Sequence, residues 1–221
     1  MTQLPLEMPF RTIAGREDFI LSECNAMAAA SVEDWPNWPG GCRALNLVGP
    51  AGAGKSHLAA VWTEAVGPVP TLDRLPAGSV PSTSSVFILD HVEVGPAWDE
   101  EALFHLFSHC GAGGGLLLLS RTPVGQMDWR LPDLRSRMRA VNMARIALPD
   151  DMLLRGLFTK YFTERQMVAP PAMIDYLVNR VERSFSMVQQ VGAALDRRSI
   201  AEKRPLSVAL ARDVLQDFLP L

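Results

Sequence analysis

The run Gly49-Pro50-Ala51-Gly52-Ala53-Gly54-Lys55-Ser56 places three glycines, a lysine and a hydroxyl at the spacing GxxxxGK[ST]. That spacing suits phosphate chemistry. Glycines let the backbone curl until successive N–H groups face one anion, the lysine neutralises charge at the β and γ positions, and the Ser56 hydroxyl can ligate Mg²⁺. His57 follows directly and joins the candidate nucleotide contacts. A glycine-rich turn can match such a pattern by chance, but here an apolar run, Leu45 to Val48, leads into it and a helical pattern, Ser56 to Ala65, leads out. Mg²⁺ bound to phosphates also needs a carboxylate at the end of a buried strand. Val86-Phe87-Ile88-Leu89-Asp90 ends an apolar run in an acid, so Asp90 is the second candidate metal ligand beside Ser56.

These groups require a scaffold. Five apolar runs bounded by turn residues, Leu45 to Val48, Val69 to Leu72, Val86 to Leu89, Leu116 to Leu119 and Val141 to Leu148, read as buried parallel strands. Between them, Asp99 to His109 gathers Leu103, Phe104, Leu106 and Phe107 on one helical face, and its opening Asp99-Glu100-Glu101 complements the helix dipole. Residues 68–85 are rich in Pro, Gly, Ser and Thr and predict mostly loop beyond a short second strand. Trp35, Pro36, Trp38 and Pro39 cluster before the first strand, where packing over the sheet edge is expected. After Pro149 the strand signals stop, and helices are expected at roughly 150–165, 170–183, 184–202 and 208–218. The expectation is an α/β P-loop domain with a five-stranded parallel sheet over residues 11–149, a small all-α domain over 150–221, and a flexible peptide at 1–10.

A chain of 221 residues, 48% hydrophobic and 20% charged, has the length for one such domain and a small appendage. With 21 basic against 24 acidic side chains it offers no global attraction to a nucleic-acid backbone, so any DNA contact is local or indirect. Three cysteines without a CxxC pair suit free thiols in a reducing compartment, and neither a secretory leader nor a membrane-length apolar run is visible. The expected location is the cytoplasm.

Together these residues resemble the AAA+ ATPases and, within them, the family of the bacterial replication initiator DnaA and its shorter Hda homologues. The similarity spans nearly the whole chain. Asp18-Phe19-Ile20 with Asn25-Ala26 is similar to the family segment in which Phe19 and Ile20 would lie against adenine; ordinary core packing suits both residues equally. Leu131-Pro132-Asp133-Leu134-Arg135-Ser136-Arg137-Met138 resembles the arginine-finger segment, whose second arginine reaches the nucleotide of an adjacent subunit. Arg137 is therefore the candidate catalytic residue; without the resemblance Arg135, Arg137 and Arg139 read as a solvated basic face. Arg204-Pro205-Leu206-Ser207-Val208 to Leu215 resembles the end of the family lid, with no helix-turn-helix sequence after it, which favours the Hda branch. Gln3-Leu4-Pro5-Leu6 resembles a sliding-clamp-binding peptide, with Gln3, Leu4 and Leu6 as its contacts.

Three departures qualify what the resemblance implies. Where hydrolysing relatives set a second acid after Asp90, this chain has His91, with Glu93 two residues on. The polar sensor after the fourth strand falls in Ser120-Arg121-Thr122-Pro123, with Arg121 in place of an acid. The lid sensor arginine aligns with Ser186, and Arg183, one helical turn earlier, would share its helix face and substitute for it. The resemblance thus implies a protein that holds ADP or ATP with Mg²⁺ but has weak or absent intrinsic ATPase. Its expected partners are DnaA, whose bound ATP it acts on in trans, the polymerase sliding clamp, and DNA indirectly through the clamp; a homodimer is possible, and no membrane is involved. A self-contained ATPase that remodels DNA or loads a helicase is the alternative.

Overall fold

The computed structural model describes residues 19–81, 84–111 and 113–218. They form two compact units, one ending at Ala147 and one beginning at Leu148.

The first unit is built on a parallel sheet. Its elements in chain order are α1 (Ala26–Glu33), β1 (Arg43–Val48), α2 (Lys55–Val66), β2 (Thr71–Leu72), β3 (Val86–Leu89), α3 (Glu100–Cys110), β4 (Gly115–Ser120), a 3₁₀ turn (Val124–Gln126), α4 (Pro132–Ala140) and β5 (Asn142–Arg145). The strands lie in the order β2-β3-β4-β1-β5. β1 is central, pairing with β4 from Arg43 opposite Gly115 to Val48 opposite Ser120, and with β5 from Leu45 opposite Asn142 to Val48 opposite Arg145.

The leucine run of β4 shows why a continuous apolar segment becomes such a strand. Leu116 and Leu118 enter a core with Phe87, Leu89, Leu103 and Leu106 on one side of the sheet. Leu117 and Leu119 enter a second core with Leu45, Leu47, Ile88 and Trp62. Side chains alternate across a strand, so a strand covered on both faces must be apolar at every position. Trp38 stacks on Trp62 with ring centroids 5.2 Å apart, and Trp35 meets Trp62 edge-to-face at 5.3 Å. Trp35 closes over Gly115, where no Cβ would fit. The aromatic cluster therefore covers the start of the central strands and not the sheet edge.

Two elements have no apolar signature strong enough to be read in advance. Helix α1 is almost all alanine, serine and valine, and α4 is Arg-rich with only Leu134 and Met138 buried. Helix α4 is started by a residue far away in sequence: the Glu100 carboxylate accepts the N–H groups of Arg130 at 3.1 Å and Leu131 at 2.6 Å. Asp99, just before it, caps α3 through the N–H of Ala102 at 2.9 Å. The acidic run thus serves two helices: Asp99 caps the first turn of α3, whose first N–H groups lack intrahelical acceptors, and Glu100 holds the two residues that lead into α4.

The second unit is all-α: α5 (Asp151–Glu164), α6 (Pro171–Val178), α7 (Phe185–Glu202) and α8 (Val208–Leu215). Its core joins Phe158, Phe162, Leu177, Val191, Leu195 and Leu210. Gly192 lets α7 approach α5, since a Cβ there would lie 2.7 Å from the Tyr161 ring. Helix α6 stops at Val178, short of the expected end at Arg183, and α7 begins only after Ser184, whose hydroxyl accepts the Met187 N–H at 3.1 Å. No described helix is long and apolar enough to cross a membrane.

Candidate nucleotide-binding site

The glycine-rich loop leaves the carboxyl end of β1, and its shape follows from what surrounds that point. A Cβ at Gly49 would sit 2.8 Å from the carbonyl oxygen of Ile146, a backbone atom that cannot swing away. Gly52 at φ 70° and Gly54 at φ 91° adopt left-handed backbone, which other residues populate at a cost. Ala53 is buried in the core beneath, fixing the loop to the sheet. Gly54 leads straight into α2, and no side chain caps that helix. Its first N–H groups are left for an anion, where the helix dipole also favours negative charge.

Lys55 opens α2 and turns back over the loop, its Nζ donating to the carbonyl oxygens of Gly49 at 2.7 Å and Pro50 at 2.9 Å. Burial holds its ammonium below the ordinary lysine range; Asp90 opposes that shift and Arg121 adds to it. Both side chains therefore act electrostatically on Lys55: the acid from the end of β3, and the arginine from the end of β4. Asp90 is half-buried, and its Oδ1 accepts the His91 N–H at 2.9 Å.

His91 takes a left-handed backbone at φ 56°, uncommon for a residue with a Cβ, and Trp98 Nε1 holds its carbonyl at 3.2 Å. Its imidazole is exposed, with Nε2 3.9 Å from the Asp90 carboxylate. Phe19 meets His57 edge-to-face with centroids 5.2 Å apart, so the segment before α1 reaches the P-loop helix, and Phe19 and Ile20 are both half-buried there. Asn25 pins that segment, accepting the Ser22 N–H and donating to Ile20 O, each at 2.9 Å.

The residues fit a phosphate-bound Mg²⁺ and not a self-sufficient metal site. Among the described residues no group of three or more His, Cys, Asp and Glu is placed to hold a metal. Ser56 and Asp90 would supply two oxygen donors, the number with which Mg²⁺ is commonly held when phosphates and water complete its shell.

One buried residue behind the loop carries no motif. Asn46, in the middle of β1 and 1% exposed, donates to Leu118 O at 3.0 Å and Ser120 Oγ at 2.9 Å, and accepts the Val124 N–H at 3.0 Å. Ser120 in turn donates to Thr122 O at 2.7 Å. The network fixes the chain on both sides of Arg121 against the strand that carries the P-loop. A polar residue inside an otherwise apolar strand was the available signal.

Arg137 lies elsewhere. Its guanidinium sits 4.1 Å over the Phe104 ring and donates to Ser108 Oγ at 3.0 Å, beside Cys42. Cys42 precedes β1 and Gly49 follows it, so the six residues of β1, at about 3.3 Å each, put roughly 20 Å between Arg137's pocket and the loop of the same chain. In the second unit, Arg183 does not share a helix face with Ser186: it precedes the α7 cap, where it pairs with Asp151 at 2.6 Å and donates to Pro149 O at 3.3 Å. Gln3, Leu4 and Leu6 lie outside the described residues.

No protein-family profile matches the chain. The strand order, the loop after β1 and the acid after β3, with an all-helical unit following, define the fold of the AAA+ P-loop domains. Domain III of the replication initiation protein DnaA from Thermotoga maritima superposes with a TM-score of 0.76 at 15% identity, over 97% of this chain and 100% of that one. A replication initiator DnaA bound to AMPPCP and single-stranded DNA gives 0.63 at 16%, over 85% and 67%. A RuvB variant from Thermotoga maritima gives 0.70 at 14%, over 90% and 70%. At these identities the likeness is one of fold.

Proposed function

We propose that the chain is an Hda-like regulator of replication initiation, which holds an adenine nucleotide at its own P-loop and acts on another through Arg137. The observation that carries this reading is the separation of the two features along β1. The loop glycines with Lys55, Ser56 and Asp90 suit a bound nucleotide with Mg²⁺, Phe19, Ile20 and His57 suit its base side, and Arg137 is too far along the strand to serve that same nucleotide. An always-charged guanidinium that stabilises a transferring phosphoryl from a neighbouring subunit contributes about 10³ to 10⁵ in rate in other nucleotidases. His91 in place of an acid supports slow turnover of the resident nucleotide, with ADP as the form held. The partner is ATP-bound DnaA, and Gln3, Leu4 and Leu6 tether the protein to the DNA-loaded sliding clamp.

The test is phosphate release from ATP-loaded DnaA with clamp on DNA. Wild type stimulates it, while Arg137→Ala and a form lacking residues 1–10 do not. Equal stimulation by all three overturns the reading. Fast hydrolysis by this protein alone, accelerated by DNA and indifferent to residues 1–10, would instead identify a self-contained DNA-remodelling or helicase-loading ATPase.

A further inference from the structure

Arg137 shares its surroundings with two of the three cysteines. Cys42, half-buried just before β1, lines a cavity of about 440 Å³ with Gly41, Phe107, Ser108, Gly111 and Arg137. Cys110, the last residue of α3 and 1% exposed, belongs to the core cluster against which Cys42 packs. The backbone holds the two together. Arg43, next to Cys42, donates its N–H to Gly114 O at 3.3 Å, and Gly114 donates its own to Cys110 O at 2.9 Å. Gly114 leaves no room for a Cβ between the Cys110 and Ser85 carbonyls, so the approach is tight as well as direct. The side chains follow, Cys42 packing against the buried cluster in which Cys110 lies.

We propose that Cys42 and Cys110 are an oxidisable thiol pair, in which a hydroperoxide entering the Arg137-lined cavity oxidises Cys42 and Cys110 converts the product to an intramolecular disulfide. The two thiols are suited to different parts. The neighbouring Cys110 thiol and the charge of Arg137 hold the Cys42 thiol below the ordinary range, against its burial. The neighbouring Cys42, with burial, pushes Cys110 up. A thiol that lines the cavity beside Arg137 and a buried thiol behind it are the arrangement of an attacking and a resolving cysteine.

In the first step the Cys42 thiolate attacks the peroxide oxygen, the O–O bond breaks and sulfenic acid forms, while the alkoxide or hydroxide leaves as alcohol or water with the proton that Cys42 gave up to solvent. In the second, Cys110 attacks the Cys42 sulfur; the S–S bond forms, the S–O bond breaks, and hydroxide leaves with the Cys110 proton as water. The peroxide accepts the two electrons that the thiol pair loses. Arg137 acts as a positioning residue, its guanidinium held between the Phe104 ring and Ser108 at the cavity wall. Cys24 is the internal control: half-buried, it contacts Ser22 Oγ at 2.9 Å.

The experiment titrates the reduced full chain with hydrogen peroxide and maps thiols by mass spectrometry without reductant. The expected products are a Cys42–Cys110 cross-linked peptide with Cys24 still reduced, and, in Cys110→Ala, a sulfenic acid on Cys42 that dimedone traps. Oxidation of Cys42 slows several-fold in Arg137→Ala and recovers in Arg137→Lys. Equal oxidation of all three cysteines, disulfides between chains only, or an unchanged rate in Arg137→Ala overturns the proposal. None of these readings depends on nucleotide or on a partner protein.

Discussion

The ammonium of Lys55 donates a 2.7 Å hydrogen bond to the carbonyl oxygen of Gly49, the first residue of the loop that Lys55 closes. The lysine thus satisfies itself on its own loop, in a position where burial disfavours its charge. A di- or triphosphate offers that charge a stronger acceptor. Wild type should gain stability with Mg-ADP, by about 2.7 kcal/mol at a hundredfold excess over Kd, while Lys55→Met should show no gain. The pH dependence has a definite sign. The folded state releases the Lys55 proton more readily than the unfolded chain, so the penalty is present in full below the folded pKa. It disappears as pH rises to the ordinary lysine value near ~10.4. Thermal melts of the ligand-free protein should show this rise in wild type and lack it in Lys55→Met.

Asn46→Leu removes three hydrogen bonds inside the sheet and leaves the Val124 N–H and the Leu118 carbonyl without that partner. A buried group left unsatisfied costs about 1–3 kcal/mol, so denaturant unfolding should show a loss of at least that size. Asn46→Asp keeps an acceptor for Val124 but turns a carboxylate toward the Leu118 carbonyl, and should be worse. A cost under about 0.5 kcal/mol for Asn46→Leu would show that the network contributes little.

Gly192→Ala puts a methyl against the Tyr161 ring, at 2.7–2.9 Å from three of its carbons. Overpacking of this kind costs about 1–3 kcal/mol. Combining it with Tyr161→Leu should cost less than the sum of the single changes, because the smaller side chain vacates the space. Strict additivity in a double-mutant cycle would refute the clash.

Arg183→Ala should change stability by less than about 1 kcal/mol, since Arg183 and Asp151 are each about half exposed and such pairs are screened by solvent. The guanidinium is already engaged by Asp151 and Pro149 O, so ADP affinity measured by calorimetry should stay within twofold of wild type. A tenfold loss would restore Arg183 as a nucleotide contact.

Much of this was legible in the residues because the signals were local. A loop that needs left-handed backbone calls for glycine, and a strand covered on both faces calls for unbroken apolar residues, so GxxxxGK[ST] and the leucines of β4 announce themselves. Helix α4 does not, because the two N–H groups that lead into it are held by Glu100 about thirty residues earlier. The end of α6 is hidden for another reason: the residues after Val178 continue a helical pattern, yet the Ser184 cap starts α7 afresh and leaves Arg183 outside it.

The sequence by itself therefore determined the glycine-rich loop, its supporting strand and helix, and the acid after β3, since each depends on a few neighbouring residues and on backbone geometry. Only the tertiary structure decided what these groups face. Lys55 feels Asp90 and Arg121 because β3 and β4 bring their carboxyl ends to the same edge as β1. Arg137 stands with Cys42 at the other end of that strand because α4 packs along α3. No local pattern encodes either meeting, because the contacts join residues tens of positions apart whose distances are set by the order of strands in the sheet.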